Sequence, residues 1–221
     1  MNILVACEVS QEITKRFFAQ GHNVYSCDIQ ETKLLPERHI NGDVLPIING
    51  SCQFKTQDGK IHYIDSTWDL LIAHPPCTYL SNAGIKYFNF QKYGAKAVIR
   101  RALRQEAFEF FMKFVNCNAK HICIENPVGY ISTHYRKPDQ IIQPFYFGDP
   151  YQKRTCLWLF NLPKLQYTNI IEPEPPIIFK SGKRMPKWYN DACKIPAERL
   201  NIRSKTFPGI AEAITTQWNN L

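Results

Sequence analysis

The stretch DLLIAHPPCTYLSNAG, residues 69–84, joins a short apolar run to a polar segment rich in turn-forming residues. The run ends at His74 and has the length and composition of a buried strand. Pro75 and Pro76 follow, and because proline fixes φ and lacks a backbone donor, they predict a rigid turn. Cys77 comes next, between prolines and turn-forming residues. A cysteine that only fills space in the core does not need such neighbours. We therefore treat Cys77 as a candidate nucleophile at a strand end.

Apolar runs of strand length alternate with segments of helical periodicity along the rest of the chain. The predicted strands are NILVA, HNVYSCDI, WDLLIAH, HICIEN and KRTCLWLF, with a short turn-rich unit in HINGDVLPII. The predicted helices are SQEITKRFFAQG, AKAVIRRALRQEAFEFFMKFVNC and FPGIAEAITTQW. In the first helix, Ser10 is a candidate N-cap and Gly21 a candidate stop.

This alternation predicts an α/β fold with a doubly wound, mostly parallel sheet covered by helices on both faces. We divide the chain into a core of residues 1–160, a proline-rich and charged insertion of residues 161–205, and a closing helix within residues 206–221. The insertion shows little periodicity, which predicts a loop-rich segment.

The composition favours a polyanionic partner. The 221 residues carry a formal net charge of +8, which is typical of many nucleic-acid-binding proteins. Residues 180–205 contain eight lysines and arginines against two acidic residues, with Trp188 and Tyr189 among them. Cations for phosphates and aromatic rings for stacking suit a nucleic-acid surface, but a solvated basic loop fits this segment equally well.

The eight cysteines lack the paired spacing of zinc sites, so we expect reduced thiols and no metal. No apolar stretch is long enough to span a bilayer, and MNILVACEVS lacks the charged start of a signal peptide. We therefore expect a cytoplasmic protein with no membrane partner.

Acidic residues follow the early strands. In doubly wound folds that bind nucleosides, a carboxylate about 20 residues past the first strand accepts hydrogen bonds from ribose hydroxyls. Asp28 ends the second predicted strand at about that distance. Asp43, within GDV, suits either an adenine or ribose edge or a turn.

A second group of polar residues follows the later strands. Glu125 lies in IENP, where burial predicts a raised carboxyl pKa that suits proton donation to a ring nitrogen. Lys153 and Arg154 enter the strand KRTCLWLF and supply cations. A thiol, a carboxylic acid and a cation together suit thiolate addition to carbon 6 of a pyrimidine, which makes carbon 5 nucleophilic.

Three motifs in this order resemble those of the cytosine carbon-5 DNA methyltransferases, and more closely their compact phage and prophage branch. The family's cysteine loop is matched by Pro75, Pro76, Cys77, Ser81, Ala83 and Gly84. IENP resembles the family's Glu-Asn motif, and YQKR resembles its Gln-x-Arg motif. Together the motifs cover residues 1–160 and the last helix.

The resemblance implies S-adenosylmethionine as methyl donor and a flipped cytosine of double-stranded DNA as substrate. It implies catalytic roles for Cys77, Glu125 and Arg154. It implies cofactor-binding positions at Ala6, Cys7, Glu8, Ser10, Asp28, Ile29, Asp43, Val44 and His74. It implies substrate-binding positions at Pro76, Ser81, Asn126, Gln152 and Lys153.

The chain departs from the family at four places. The family's first loop is glycine-rich, but VACEVSQE contains no glycine. Cys156 stands where the family has a second arginine, and Thr78 stands where it has glutamine. The recognition region has only about forty residues. A related enzyme acting on RNA, a free nucleotide or a modified base therefore stays open, as does a catalytically degenerate DNA-binding decoy.

Overall fold

A computed structural model describes residues 1–195 and 199–221 and contains a seven-stranded central sheet and two hairpins. The strands in chain order are β1 (Asn2–Ala6), β2 (Asn23–Asp28), β3 (His39–Asn41), β4 (Cys52–Lys55), β5 (Ile61–Ile64), β6 (Leu70–Ala73), β7 (His121–Pro127), β8 (Gln140–Ile142), β9 (Thr155–Phe160), β10 (Ile177–Ile178) and β11 (Arg184–Met185). The helices are α1 (Thr14–Ala19), α2 (Phe90–Tyr93), α3 (Ala95–Val115), α4 (Ile131–His134), α5 (Lys187–Cys193), α6 (Arg199–Ser204) and α7 (Pro208–Gln217).

The central sheet has the strand order β3-β2-β1-β6-β7-β9-β8. Strands β3, β2, β1, β6 and β7 are parallel, whereas β9 is antiparallel to both of its neighbours. The carboxyl ends of the parallel strands therefore share one edge. The start of β9 lies at that same edge, because Thr155 pairs with Pro127. The chain order reverses between β1 and β6, where doubly wound folds bind their ligands.

Helices cover both faces of the sheet. On one face, Phe111 and Phe114 of α3 are fully buried in a cluster with Trp158 of β9. On the other face, α1 and α7 pack against the sheet, with Phe17 and Ile214 in the core. Both faces of each central strand are thus removed from water, which explains their continuous apolar sequences. The predicted α/β fold with a mostly parallel, doubly covered sheet is confirmed.

Helix α1 is shorter than the sequence predicts. It begins at Thr14, so the prediction that Ser10 is its N-cap is wrong. The Glu8 carboxylate instead accepts hydrogen bonds from the backbone N–H groups of Ile13 and Thr14, at 2.8 and 3.3 Å. These donors have no partner within the helix, and the carboxylate meets that need. The predicted stop is confirmed, because Gly21 adopts a φ of +84° after the last turn.

Two parts of the chain differ in detail from the sequence-based expectation. The β4–β5 hairpin was not predicted. The insertion of residues 161–205 is loop-rich for most of its length but contains the β10–β11 hairpin and helices α5 and α6, and its residues 196–198 lie outside the described residues. In the described ranges, no helix combines the length and the apolar character needed to cross a bilayer.

Candidate active site

Cys77 lies in a tight turn directly beyond β6. Its backbone carbonyl accepts hydrogen bonds from the N–H groups of Leu80 and Ser81, at 3.1 and 2.9 Å. Pro75 is buried, Pro76 is exposed, and Cys77 itself is half-buried. The sequence therefore places the thiol at the carboxyl edge of the sheet, as the strand-end pattern predicts, within a turn that the two prolines stiffen.

Hydrogen bonds connect this turn to β7 and to the residues that follow β7. The Asn126 amide donates a 2.9 Å hydrogen bond to the Pro75 carbonyl. Further along, the Leu80 carbonyl accepts from the Tyr130 N–H at 2.7 Å. Gly129 allows this approach, because a Cβ there would overlap the Leu80 carbonyl. Asn126, a predicted substrate-binding residue, is only 1% exposed. Its side chain supports the turn from inside the fold.

Glu125 and His74 form a pair across neighbouring strand ends. His74 Nδ1 lies 3.2 Å from Glu125 Oε2, and the two side chains are 11% and 20% exposed. Burial by itself would raise the pKa of Glu125, but the His74 hydrogen bond and the charges of Lys153 and His74 lower it below its usual value. The predicted raised pKa of Glu125 is therefore wrong for the free protein, since the sequence did not reveal these partners. His74, predicted on the cofactor side, contacts this carboxylate instead.

The Cys77 thiol responds to the same charges. Burial raises the pKa of Cys77, and the negative charge of Glu125 raises it further. Lys153 and Arg203 act in the opposite direction without cancelling the rise. Cys77 is therefore a protonated thiol at neutral pH in the free protein, close enough to Glu125 to respond to its ionisation.

Lys153, and not Arg154, faces this group. Lys153 lines a cavity of about 20 Å³ together with His74, Glu125 and Thr155, and its Nζ donates to the Arg203 carbonyl at 3.1 Å. Arg154 does not line this cavity. Arg154 is exposed, and its charge is felt by Cys156, which packs on the α3 face. The sequence could not distinguish the two cations because this needs the register of β9.

The insertion docks beside Lys153 through aromatic rings. Trp188 Nε1 donates to the Gln152 carbonyl at 3.1 Å. The same ring packs edge-on against Tyr151 and Phe207. This contact brings α5 next to the site, and it uses the backbone of Gln152, a predicted substrate-binding residue, as an anchor. The preceding residues expose a group of cations, Lys180, Lys183, Arg184 and Lys187.

The loop after β1 takes a glycine-like path without glycine. Cys7 and Gln11 have φ values of 59° and 51°, in the left-handed region where side chains cost energy. Gln11 is fully buried and compensates with hydrogen bonds to Ser26, at 2.9 Å, and to the backbone of Leu35. Ala6, at the end of β1, is also buried. The backbone shape that glycine would favour is therefore present here.

The predicted cofactor residues divide into two groups. Glu8 is 3% exposed and caps α1, so its carboxylate is not free to bind a ligand as predicted, and Ser10 is half-buried on the same loop. Asp28 is half-buried, with a pKa raised mainly by burial, and Ile29 beside it is 80% exposed.

The unit after β3 completes that edge. Asp43 is exposed, and its Oδ1 accepts from the Leu45 N–H at 3.0 Å, as in a turn. Val44 is buried. The charges of Asp28 and Asp43 both add to the effect of burial in raising the pKa of Cys7, so these residues lie together at the ends of β1, β2 and β3.

The segment after Cys77 is held on α3 by arginines that sequence reasoning missed. Arg100 Nη2 donates to the Thr78 carbonyl at 3.0 Å, and its guanidinium lies over Tyr79 and Phe88. Ser81 Oγ caps the following 3-10 helix, residues 82–88, by accepting from the Ala83 N–H at 3.3 Å. In the sequence, aromatic residues precede the arginines of α3, and this pattern could have indicated the stacking.

Comparison with known proteins gives no assignment: no family model matches the chain, and no curated protein matches it. Function is therefore inferred from the geometry of the site and the motifs of the sequence.

Proposed function

We propose that this chain is a DNA cytosine carbon-5 methyltransferase that uses S-adenosylmethionine and forms a covalent adduct through Cys77. One observation carries the proposal: Cys77 beyond β6, Glu125 in β7 and Lys153 before β9 lie near enough that Glu125 and Lys153 both affect the ionisation of Cys77, and Lys153 that of Glu125. A nucleophile, a carboxylic acid and a cation in one group are the functional parts that addition to a pyrimidine needs.

The sheet offers two neighbouring places for two ligands. Asp28, Ile29 and Asp43 lie at the ends of β2 and β3, and Cys77 and Glu125 lie at the ends of β6 and β7. The strand order reverses between these two groups, where open α/β sheets bind ligands. A cofactor above the first group would lie beside a base above the second, which suits a methyl transfer between them.

The residues of the first group fit S-adenosylmethionine. The left-handed backbone at Cys7, which is half-buried, gives the loop after β1 the path that glycine would favour beside a ligand. The Asp28 carboxylate suits the ribose hydroxyls, and the exposed side chain of Ile29 offers an apolar surface to the adenine. Glu8 is excluded from this set because it caps α1.

Attack on the base needs a proton on Glu125. The protonated carboxyl of Glu125 donates to cytosine N3, so the ring gains an N–H bond and carbon 6 becomes electrophilic. Cys77 loses its proton to solvent, and Sγ bonds to carbon 6 while the ring electrons move toward carbon 5. Neutralising Glu125 also removes a charge that raises the pKa of Cys77, so proton transfer to the base favours the thiolate.

S-adenosylmethionine, when bound, would supply the electrophilic methyl group for carbon 5 and would leave as S-adenosylhomocysteine. Release of the product then requires loss of the carbon-5 proton to solvent and cleavage of the Sγ–C6 bond. The proton on N3 returns to Glu125, and the Cys77 thiolate takes a proton from solvent, which restores the starting state. Lys153 remains beside both side chains, where its positive charge favours the ionised forms of Glu125 and Cys77.

The surface charge supports DNA as the substrate. The net charge is +8, and the exposed cations of the insertion lie on the segment that Trp188 anchors beside the site. Such cations neutralise phosphates, and a base within a duplex must be flipped out to reach Cys77.

The test is transfer of a radiolabelled methyl group to duplex DNA, RNA or deoxycytidine monophosphate. We expect label in DNA with the wild type and with Cys193→Ser, an exposed cysteine that serves as control, and none with Cys77→Ser. Preferential labelling of RNA or the mononucleotide would overturn DNA as substrate. DNA binding without transfer to any of the three would favour the non-catalytic decoy.

A further inference from the structure

His74 has an unusual position for a histidine at a strand end. Its backbone N–H donates to the Ala6 carbonyl at 2.9 Å, which continues the sheet one residue beyond β6. Its ring then reaches the neighbouring strand, with Nδ1 at 3.2 Å from Glu125 Oε2. In the described part of the chain, the buried Nε2 has no hydrogen-bond partner. Among the described residues, the Glu125 carboxylate is thus the hydrogen-bond partner of the ring.

Few charged groups surround this pair. The described charged or titratable groups that interact with it or with its neighbour Cys77 are Cys77, Cys123, Cys156, Lys153 and Arg203. From the closing helix, the cavity beside the pair is lined by the uncharged side chains of Ile210 and Ile214. The cavity of about 20 Å³ has room for one water molecule.

The proposed reaction presents a difficulty that His74 can resolve. Glu125 must carry a proton when it meets cytosine N3, yet its pKa is lowered in the free protein and it is ionised there. A proton must therefore arrive from a neighbour as the base enters. Histidine carries and releases protons near neutral pH, and Nδ1 is within hydrogen-bonding distance of the carboxylate that needs one.

We propose that His74 is a positioning residue that holds on Nδ1 the proton which Glu125 donates to the base. This role rests on the proposed methyltransferase function. The Nδ1–H bond breaks as the Oε2–H bond forms, which leaves a neutral imidazole beside a neutral carboxyl. The Oε2–H bond then breaks as the N3–H bond forms. At product release the same proton returns through Glu125 to Nδ1, so no other co-reactant is needed.

Entry of the base supplies the driving force for the first transfer. The Glu125 side chain is 20% exposed in the free protein, so solvent still reaches the charged pair. A base stacked over it would remove that water, and a dry site penalises two opposite charges more than two neutral groups. The proton therefore moves from imidazolium to carboxylate when the substrate arrives.

NMR titration of the Glu125 carboxyl carbon tests the pair without any activity. The resonance missing from Glu125→Gln identifies Glu125. We expect His74→Gln to raise the pKa of Glu125, because the hydrogen bond and the charge of His74 lower it, while the exposed control Glu106→Gln leaves it unchanged. An unchanged pKa of Glu125 in His74→Gln would overturn the pairing.

The pH dependence of methyl transfer tests the proton-holding role. In His74→Gln the proton can reside only on Glu125, so we expect the alkaline limb of the rate profile to move at least one unit toward lower pH. A uniform loss of rate with an unshifted limb would mean a merely structural His74 and would overturn the proposal. If the wild type transfers no label, the proposed function fails and this role with it, whereas the NMR result then judges the pair separately.

Discussion

Asn126 donates a 2.9 Å hydrogen bond to the carbonyl of Pro75 and thereby joins the strand that carries Glu125 to the turn that carries Cys77. The contact is buried, so water does not compete with it, and it fixes the backbone on both sides of the site. The electrostatic coupling between the Cys77 thiol and the Glu125 carboxylate follows from this arrangement, and it can be measured before any substrate is known.

Thiol alkylation should report that coupling. Glu125→Gln removes a negative charge that raises the pKa of Cys77, so iodoacetamide should label Cys77 several-fold faster at pH 8 than in the wild type. Lys153→Met should slow labelling, because a cation that favours the thiolate is lost. Mass spectrometry of the peptide containing Cys77 separates it from the other cysteines.

Arg154→Met is the matched control for Lys153→Met, since Arg154 is exposed and its charge is felt by Cys156. Its labelling rate should equal that of the wild type. If Arg154→Met slowed labelling and Lys153→Met did not, the assignment of Lys153 to the site would be wrong.

Gly129→Ala should loosen the cysteine turn. The added Cβ would overlap the Leu80 carbonyl, and the backbone must move, at a cost of about 1–3 kcal/mol in the free energy of unfolding. Gly42→Ala is the control, because a Cβ there meets nothing within 4 Å, and it should change stability by less than about 0.5 kcal/mol. Equal effects in urea unfolding would contradict the described packing.

The left-handed backbone at Cys7 predicts an inverted preference between two small residues. With φ at 59°, glycine avoids a penalty that alanine incurs, so Cys7→Gly should be about 1 kcal/mol more stable than Cys7→Ala. At Cys117, which is outside the positive-φ residues, alanine should be at least as stable as glycine. The free energies of urea unfolding of the four variants test this prediction. If Cys7→Ala were more stable than Cys7→Gly, the left-handed backbone at Cys7 would be ruled out.

Stability should fall in acid through Glu12. Its carboxylate contacts Lys15, Arg16 and Lys205 at 2.8–2.9 Å; burial opposes ionisation, but these hydrogen bonds and charges lower its pKa from 4.5 to about 2. A lowered pKa stabilises the fold above about pH 4.5, and the contribution is lost as the pH falls toward 2.

Glu12→Gln should therefore unfold more easily than the wild type by roughly 2 kcal/mol at pH 7, once solvent screening of the partly exposed cations is considered. The gap should shrink as pH falls below 4.5. The exposed residue Glu31 provides the control Glu31→Gln, which should behave as the wild type. A gap independent of pH would show that the ionised form of Glu12 contributes nothing.

The location of the site could be predicted from the sequence for a physical reason. The carboxyl ends of parallel strands share an edge, so polar residues after separate apolar runs converge there. Cys77 and Glu125 could be brought together in this way, as could Asp28 and Asp43. Periodicity also located α3 closely, because its apolar side chains recur along one face.

Other features depend on contacts that periodicity does not encode. Glu8 looked like a cofactor ligand, but it caps α1 because the helix begins at Thr14 instead of Ser10. The choice between Lys153 and Arg154 needs the register of an antiparallel strand whose direction the sequence did not reveal. The pairing of His74 with Glu125 crosses two strands and changes the direction of a pKa shift.

Covalent trapping tests the central claim most directly. A duplex oligonucleotide containing 5-fluorocytosine is incubated with the protein and S-adenosylmethionine, and the products are separated under denaturing conditions. Fluorine at carbon 5 cannot leave as a proton does, so the adduct cannot resolve. We predict a stable complex with the wild type, linked through the peptide that contains Cys77, and none with Cys77→Ser. A complex linked through another cysteine, or none with a wild type that binds both ligands, would contradict the assignment of Cys77 as the nucleophile.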